Sequence, residues 1–437
     1  MRISRGRLAA FAAPCLPVAA IGLPVVVHLP PYYASTLGLD LGIVGLIFFL
    51  VRLVDVPLDP IVGHLVDRTR GRFGRFRPWM GFGTVVMMAG VAAVFMAQPG
   101  ISPLLAFAGL MVMYLGFSAV LVSHTAWGAV LSDDYHERSR IFGWWQTANL
   151  LGMLIILAVP PAAVLLTGGD KATGVHAMGW VVLVTLPLAV AWNLFVVPER
   201  PRIGGETHRL GDIFGVLRLP LLRRLLLVDL LANLAPGIGG ALLLFFFEAA
   251  RGYSPAEASS FLLFYFTAGM FAAPLWVRLA RRIGKHRAIM WSLFAYALCQ
   301  SATLVIPADN FPVAAAAMAL AGVPAVAPAF LLRAMLADLS DAETLASGSE
   351  RTGLFYAALA AVQKLGYAVP VGLSYPILGI IGFVPALGEG NSESAIWGLM
   401  FMFVVPPAAL ALASALVVRG WPINAEVQAR NAEALAS

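Results

Sequence analysis

The sequence predicts an all-α membrane protein with twelve transmembrane helices, arranged as two similar six-helix halves. Of its 437 residues, 60% are hydrophobic and only 12% are charged, whereas a soluble globular protein has about 25% charged residues. The apolar segments are long enough to cross a hydrocarbon core about 30 Å thick, which takes about 20 helical residues. They lack the period-two alternation of membrane β-barrels, so helices are expected.

The first span is expected to remain in the protein as a kinked helix. It lacks a cleavage site of the A-x-A kind, and it contains Pro14, Pro17 and Pro24. The twelve expected spans cover approximately residues 8–29, 41–66, 79–98, 102–131, 142–166, 176–197, 223–248, 257–280, 288–306, 311–337, 353–383 and 391–419.

The positive charges predict the orientation of the chain in the membrane. Arg2, Arg5 and Arg7 precede the first span, and five arginines lie between positions 68 and 77. Further Arg and Lys residues occupy the other loops on the same side. The positive-inside rule therefore predicts cytoplasmic termini, in the cytoplasmic (inner) membrane if the source is a bacterium. This distribution accounts for the net charge of +6, so no nucleic-acid partner is expected.

A polar linker divides the spans six and six. The predicted organisation is an N-terminal bundle at 1–197, a cytoplasmic linker at 198–222, a C-terminal bundle at 223–419 and a cytoplasmic tail at 420–437. The basic loops at 67–79 and 278–287 occupy equivalent places in the two halves. Two parallel six-helix repeats are typical of transporters with a central site at the repeat interface.

Two carboxylates lie inside the second span. Asp55 and Asp59 are one helical turn apart and share a helix face. An ionised carboxylate at mid-bilayer costs roughly 2.5 to 3.5 kcal/mol, and two of them repel unless a cation or a proton lies between them. The pair therefore predicts a site for H⁺ or Na⁺. Arg52, three residues before Asp55, either braces a helix or gates this site.

The segment RLVDVPLDPIVGHLVDRTRGRFGRFRPW, residues 52–79, contains a dense signature. It resembles that of the glycoside–pentoside–hexuronide:cation symporters of the major facilitator superfamily, the family of melibiose permease. The matching residues are Arg52, Asp55, Asp59, Pro60, Gly63, Asp67, Arg68, Thr69, Gly74, Arg75, Phe76, Arg77, Pro78 and Trp79. Lys364 in the eleventh span and the ADLSD stretch at 337–341 match as well.

The resemblance implies a major facilitator fold that works by alternating access, with a coupling ion but no cofactor and no enzymatic activity. It makes Asp55 and Asp59 the ligands of the coupling cation, and Lys364 their charge partner. A static ion-pair cluster that ties the second helix to the eleventh is the structural alternative.

Charged residues near the loops are expected either to set topology and meet anionic lipid or to form cytoplasmic ion pairs that close a gate. The gate candidates are Asp67, Arg68, Arg138 and Arg140 in the first half, and Arg281, Arg282, Asp338, Asp341, Glu350 and Arg351 in the second.

Departures from the family pattern concern the solute. The charged residues that the sugar permeases carry in spans 1, 4 and 5 are replaced here by apolar residues near 18–20, by Ser123 and by a residue near Gln146. A neutral or partly apolar solute is therefore expected in place of a simple galactoside. The remaining candidates for solute binding could equally serve helix packing or the interfacial aromatic belt; they are His28, Tyr32, Ser123, His124, Trp127, Trp144, Trp145, Gln146 and Asn233.

One departure concerns the ion. Leu58 stands directly before Asp59, where the family often has Asn. Na⁺ takes several oxygen ligands, so the loss of an amide oxygen favours H⁺, while both ions stay open.

The predicted function is cation-coupled symport of a small solute of the sugar or glycoside type. A lysolipid or amphiphile carrier of the same fold is one alternative, and a membrane sensor or enzyme that uses the intramembrane carboxylates is another. The expected partners are the solute and the lipid bilayer, and a monomer is expected to be functional.

Overall fold

In a computed structural model of the protein, the structure describes residues 3–69, 73–132, 135–199, 215, 217–308, 310–347, 352–424, 426–428 and 430–431. The regular structure within these ranges is helical. Twelve helical segments of this part of the chain are long and apolar enough to span a membrane. The predicted all-α architecture of twelve spans is confirmed, and the protein is a multi-pass membrane protein.

The first span is a series of short helical pieces. Pro14 lies at its first break and Pro17 within the next short piece, and each lacks the N–H that a continuous α-helix needs. Its pieces are α1 (Arg5–Ala12), α2 (Cys15–Val18), a 3₁₀ turn (Ala19–Ile21), α3 (Leu23–Pro31) and a π-helical turn (Tyr32–Thr36).

Five long helices form the second to sixth spans. Polar caps start several of them: Asp40, for example, accepts hydrogen bonds from the backbone N–H groups of Gly42 and Ile43. The helices are α4 (Leu41–Arg68), α5 (Arg77–Phe95), α6 (Pro103–Val130), α7 (Tyr135–Thr167) and α8 (Lys171–Val196).

Small residues bring α5 and α6 into close contact. A Cβ atom on Gly83 would lie 2.8 Å from the Cβ atom of Ala119, so the two backbones approach closely only because position 83 has no side chain. Membrane helices commonly associate through such small residues. This contact holds α6 in place, and α6 also packs against α4.

The C-terminal set also contains six spans. The tenth is interrupted at Pro324, near the end of α12. The helices are α9 (Pro220–Ala249), α10 (Pro255–Ile283), α11 (Lys285–Ala302), α12 (Phe311–Ala325), α13 (Ala327–Ser347), α14 (Thr352–Ile381) and α15 (Glu393–Val418). Phe246 of α9 stacks on Phe403 of α15 with ring centroids 4.1 Å apart, and Gln300 of α11 donates to the Phe403 carbonyl at 2.7 Å.

The chain divides into two compact units. The first comprises Met1–Gly205, Ser254–Ser260 and Val371–Gly390, and the second comprises Glu206–Tyr253, Phe261–Pro370 and Asn391–Ser437. The predicted linker at 198–222 stays a prediction, because residues 200–214 and 216 lie outside the described ranges.

Candidate functional site

The two predicted cation ligands lie on α4. Asp55 is 0% exposed, and Asp59, one turn further on, is half-buried. Pro57 and Pro60 are part of the same helix and lack the N–H groups that would bond to the carbonyls one turn before them. The helix therefore offers backbone oxygens as well as carboxylates near the middle of this span.

Two donors from different helices contact the Asp55 carboxylate. Arg52 places Nη1 3.4 Å from Oδ2 of Asp55, and the Ser118 hydroxyl donates to Oδ1 at 3.2 Å. Arg52 is itself buried, and its guanidinium lies 4.1 Å from the centroid of the Tyr114 ring. α4 and α6 thus meet at a buried ion pair that an aromatic face covers.

Sequence reasoning missed Tyr114 and Ser118. They lie one turn apart on α6, and the signal that could have found them is a polar pair at spacing four in an apolar span. The Tyr114 hydroxyl is buried and has no hydrogen-bond partner among the residues that the structure describes.

Lys364, the predicted charge partner, lies half-buried on α14 in the second unit. Asp55 and Asp59 lie in the first unit. Compensation of the carboxylates by Lys364 therefore stays a prediction.

Residues 75–77, the described C-terminal end of the arginine-rich signature loop (residues 67–79), are anchored by a glutamate that follows α8. The Glu199 carboxylate accepts hydrogen bonds from the backbone N–H groups of Arg75 (2.5 Å), Phe76 (2.9 Å) and Arg77 (3.3 Å) at the start of α5. Arg77 also donates to the Val197 carbonyl at 3.0 Å. A carboxylate at a helix N-terminus compensates the helix dipole, so Glu199 stabilises the start of α5.

The predicted solute residues Trp127 and His124 make contacts inside the first unit. Trp127 is buried, stacks on Phe76 with ring centroids 6.3 Å apart, and donates to the Pro198 carbonyl at 3.2 Å. His124 places Nε2 2.7 Å from the Phe11 carbonyl oxygen. Neighbouring Ser123 is buried too.

Tyr32 and Trp127 contact opposite ends of α5. The Tyr32 hydroxyl donates to the Ala97 carbonyl at 2.7 Å, just beyond the end of that helix, whereas Trp127 stacks on Phe76 at the start. A helix of 19 residues is about 28 Å long. Tyr32 and Trp127 therefore cannot contact one small solute at the same time in this structure.

The remaining solute candidates are spread over two units. Trp145 is half-buried and Gln146 is exposed, both on α7, as is the exposed Trp144. His28 is buried in α3. Asn233 is half-buried on α9 and donates to the backbone carbonyl of Asp229 at 2.7 Å.

Several gate candidates have partners within their own unit. Arg140 contacts Glu137 at 2.6 Å and donates to the Ile3 carbonyl at 2.5 Å. Asp338 pairs with Lys285 at 2.5 Å, and Asp341 accepts from Gln428 at 2.8 Å. Arg68, Arg281 and Arg282 are exposed, while Glu350, Arg351 and the side chains of Asp67 and Arg138 lie outside the described residues. The gating role stays a prediction.

Comparison with known proteins decides the family. The sequence profile of the family described as MFS/sugar transport protein matches residues 10–425. The chain belongs to this family. Its membership confirms the resemblance read from residues 52–79, and it makes the protein a transporter and not an enzyme.

Full-length relatives and a solved structure agree with this assignment. The chain is 25% identical over 405 residues to the inner membrane symporter YicJ of Escherichia coli, covering 90% of this chain and 86% of that protein. It is 26% identical over 389 residues to the putative glycoside/cation symporter YagG of the same organism, covering 87% and 83%. A bacterial homologue of the human lysosomal transporter Spinster has a TM-score of 0.69 at 13% identity, over 96% of this chain and 100% of that one. This likeness confirms the major facilitator fold.

Proposed function

We propose that the protein is a cation-coupled symporter that carries a small solute of the sugar or glycoside type by alternating access. The observation that carries this proposal is the buried Asp55 carboxylate of α4, held by Arg52 and Ser118 inside a membrane span. Charged groups at this depth are costly and mark ion pathways. The similarity to proteins named as symporters supports the same function.

Arg52 acts as an internal counter-ion in the proposed cycle. Without a coupling ion, its guanidinium balances the charge of Asp55 across 3.4 Å. When H⁺ or Na⁺ binds at Asp55 and Asp59, Arg52 and Lys364 are released from this role. The solute then binds, and the two halves of the fold exchange access from one side of the membrane to the other.

H⁺ is the preferred coupling ion in this proposal. Leu58 supplies no side-chain oxygen next to Asp59, whereas a proton needs only a carboxylate. Ser118 and the backbone oxygens beside Pro57 and Pro60 are the extra ligands that a Na⁺ site would use.

Solute uptake into vesicles that contain the reconstituted protein distinguishes H⁺ coupling from Na⁺ coupling. Uptake of radiolabelled methyl β-D-glucoside, methyl β-D-xyloside and methyl β-D-galactoside is measured under an imposed pH gradient or an imposed Na⁺ gradient. We expect the pH gradient to drive accumulation in the wild type. Asp55→Asn and Asp59→Asn should lose accumulation but retain exchange of labelled for unlabelled solute, which needs no ion gradient. Asp40→Asn, at an exposed helix cap, is the matched control. Accumulation that persists in both variants contradicts the proposed coupling.

An apolar cavity supports a second candidate, a lysolipid or amphiphile carrier. The cavity, of about 340 Å³, lies between the first, fifth and sixth spans. Its lining includes Leu16, Ile155, Val181, Leu188 and Trp192. A bilayer acyl chain would fill such a groove without being transported, so this observation supports the second candidate less strongly. Thermal-shift measurements with lysophosphatidylcholine and with the methyl glycosides distinguish the two, because a ligand of the folded state raises Tm.

The proposed location is a cytoplasmic (inner) membrane with both termini in the cytoplasm and a monomer as the working unit. The arginines before the first span and in the signature loop support this orientation. A C-terminal fluorescent-protein fusion tests it, since the fusion is expected to fluoresce only when that terminus is cytoplasmic.

A further inference from the structure

Arg333 is a charged residue within a membrane span of the second unit, and it is not part of the carboxylate site. It lies on α13 inside the span Phe311–Ala346, and its side chain is exposed. Nη1 donates to the Ala329 carbonyl at 2.6 Å, and Nη2 donates to Oε1 of Gln363 on α14 at 2.9 Å.

The direction of the Arg333 side chain favours contacts within the protein over a simple contact with lipid headgroups. The charged end of α13 begins at Asp338, which pairs with Lys285. Asp338 lies five residues, or about 8 Å, beyond Arg333 along the helix. An arginine that faces lipid near a helix end extends toward the polar interface. Arg333 turns the other way, toward Ala329. Its exposed guanidinium therefore needs protein and water around it rather than hydrocarbon.

A buried carboxylate lies near Arg333 and its partner Gln363. Asp229 on α9 is 1% exposed, and neither of its carboxylate oxygens has a hydrogen-bond partner of ordinary geometry among the described residues. The side chains of Gln363, Asn233 and Arg333 are the polar groups near this carboxylate, and the Asn233 amide donates to the backbone carbonyl of Asp229 at 2.7 Å. Exposed Arg333, half-buried Gln363 and buried Asp229 thus form a polar cluster on three helices.

The chemistry of this cluster fits oxygen atoms of a solute better than a second cation. The positive charge of Arg333 repels a cation. The guanidinium has five N–H donors, of which the contacts to Ala329 and Gln363 use two, so further donors remain for a ligand. The exposed ring of Tyr356, whose hydroxyl donates to the Arg333 carbonyl at 3.2 Å, lies beside it and offers a face for the apolar side of a sugar ring.

We propose that Arg333 is a solute-binding residue, which donates hydrogen bonds to the hydroxyl or ring oxygens of a polyhydroxylated solute. Gln363 and Asp229 are positioning residues that orient its guanidinium. This assignment rests on the proposed function, because it names the residue of the second unit that recognises the transported solute.

Binding to the purified full-length protein, without any ion gradient, tests the proposal separately from coupling. Dissociation constants for the three methyl glycosides are measured by isothermal titration calorimetry. We expect Arg333→Gln to weaken binding at least tenfold and Arg333→Lys to weaken it less, since lysine retains a charged donor. Arg278→Gln, at an exposed arginine of α10, is the matched control and should bind as the wild type does. Wild-type affinity in Arg333→Gln overturns the proposal.

A double variant tests the positioning role of Asp229. Asp229→Asn should weaken binding severalfold, and Asp229→Asn combined with Arg333→Gln should weaken it no further than Arg333→Gln alone. Additive losses overturn the positioning role. Thermal unfolding identifies variants that fail to fold. If Arg333→Gln is one of them, the affinity of Arg333→Lys relative to the wild type tests the role of Arg333 instead.

If no glycoside binds the wild type, that result contradicts the proposed solute class. A measurement that needs no sugar then tests whether position 333 is accessible to water. Arg333→Cys is introduced into a variant in which Cys15 and Cys299 are replaced by alanine. Modification by a membrane-impermeant, water-soluble thiol reagent in opened membrane vesicles supports an aqueous site at position 333. Absence of modification overturns it.

Discussion

Arg52 and Asp55 form a buried ion pair within one helix, with Nη1 of Arg52 3.4 Å from Oδ2 of Asp55. The arginine is 7% exposed and the aspartate 0%. Such a pair, placed in a membrane span and shared with Ser118 of α6, stabilises the buried carboxylate.

The first prediction concerns this pair. Arg52→Ala should lower the free energy of unfolding by about 3 kcal/mol, because it leaves a buried carboxylate without its counter-ion. The double variant Arg52→Ala/Asp55→Ala should lose less than the sum of the two single variants. Thermal unfolding in detergent measures both. Arg68→Ala, at an exposed arginine of the same helix, should have little effect. Additive losses in the double variant would contradict a direct interaction.

Glu199 provides the second prediction. Glu199→Ala should lower stability by about 2 kcal/mol, because three backbone N–H groups at the start of α5 lose their acceptor. Glu199→Gln should cost less, since it keeps one acceptor oxygen. Limited proteolysis after Arg75 should become faster in the alanine variant. Equal proteolysis of the wild type and Glu199→Ala would show that the loop is held by other contacts.

The third prediction is a dependence on pH. Hydrogen bonds from the backbone and side chain of Thr173 hold the pKa of the Asp170 carboxyl below its usual range. A carboxyl group with a depressed pKa in the folded state contributes stability above its unfolded pKa, about 3.9, and this contribution is lost as pH falls through the folded value. Asp170→Ala should therefore cost about 1 kcal/mol between pH 5 and 8. The difference in Tm from the wild type should shrink below about pH 4.

The reverse result for Asp170, a stability difference that grows as the solution becomes more acidic, would contradict the capping role. Asp170→Asn is the control, because asparagine also caps helices but does not titrate.

The fourth prediction tests the contact that positions Ser118. Gly83→Val should destabilise the protein by about 1 to 3 kcal/mol, because the new side chain meets Ala119 of α6. Gly81→Val on the same helix is a matched control, since a Cβ atom there meets nothing within 4 Å. Both variants replace glycine by the same β-branched residue, so a difference in Tm between them reports the helix contact. Equal Tm values would show that α6 can move away without cost.

The sequence predicted the architecture well for a physical reason. A membrane span needs about 20 apolar residues, and that requirement can be read from composition along the chain. The broken first span is a local matter too, because Pro14 and Pro17 each remove a backbone donor. The spacing of Asp55 and Asp59 places them one turn apart on any α-helix.

The surroundings of these carboxylates could not be read in the same way. Ser118 is 63 residues from Asp55, and Glu199 is 122 residues from Arg77, so each contact exists only after the helices pack. The predicted solute residues show the same limit. Trp127 and Tyr32 were both candidates for solute binding, and the fold places them near opposite ends of α5.

By itself, the sequence determined the twelve spans, the signature at 52–79 and the carboxylate pair, because each depends on neighbouring residues along one helix. Only the tertiary structure decided which donors hold Asp55, which residue contacts the start of α5 and which side chain accepts a hydrogen bond from Arg333. Those choices depend on how helices distant in sequence approach each other. That approach is set at positions such as Gly83, where the lack of a side chain lets α6 bring Ser118 to Asp55.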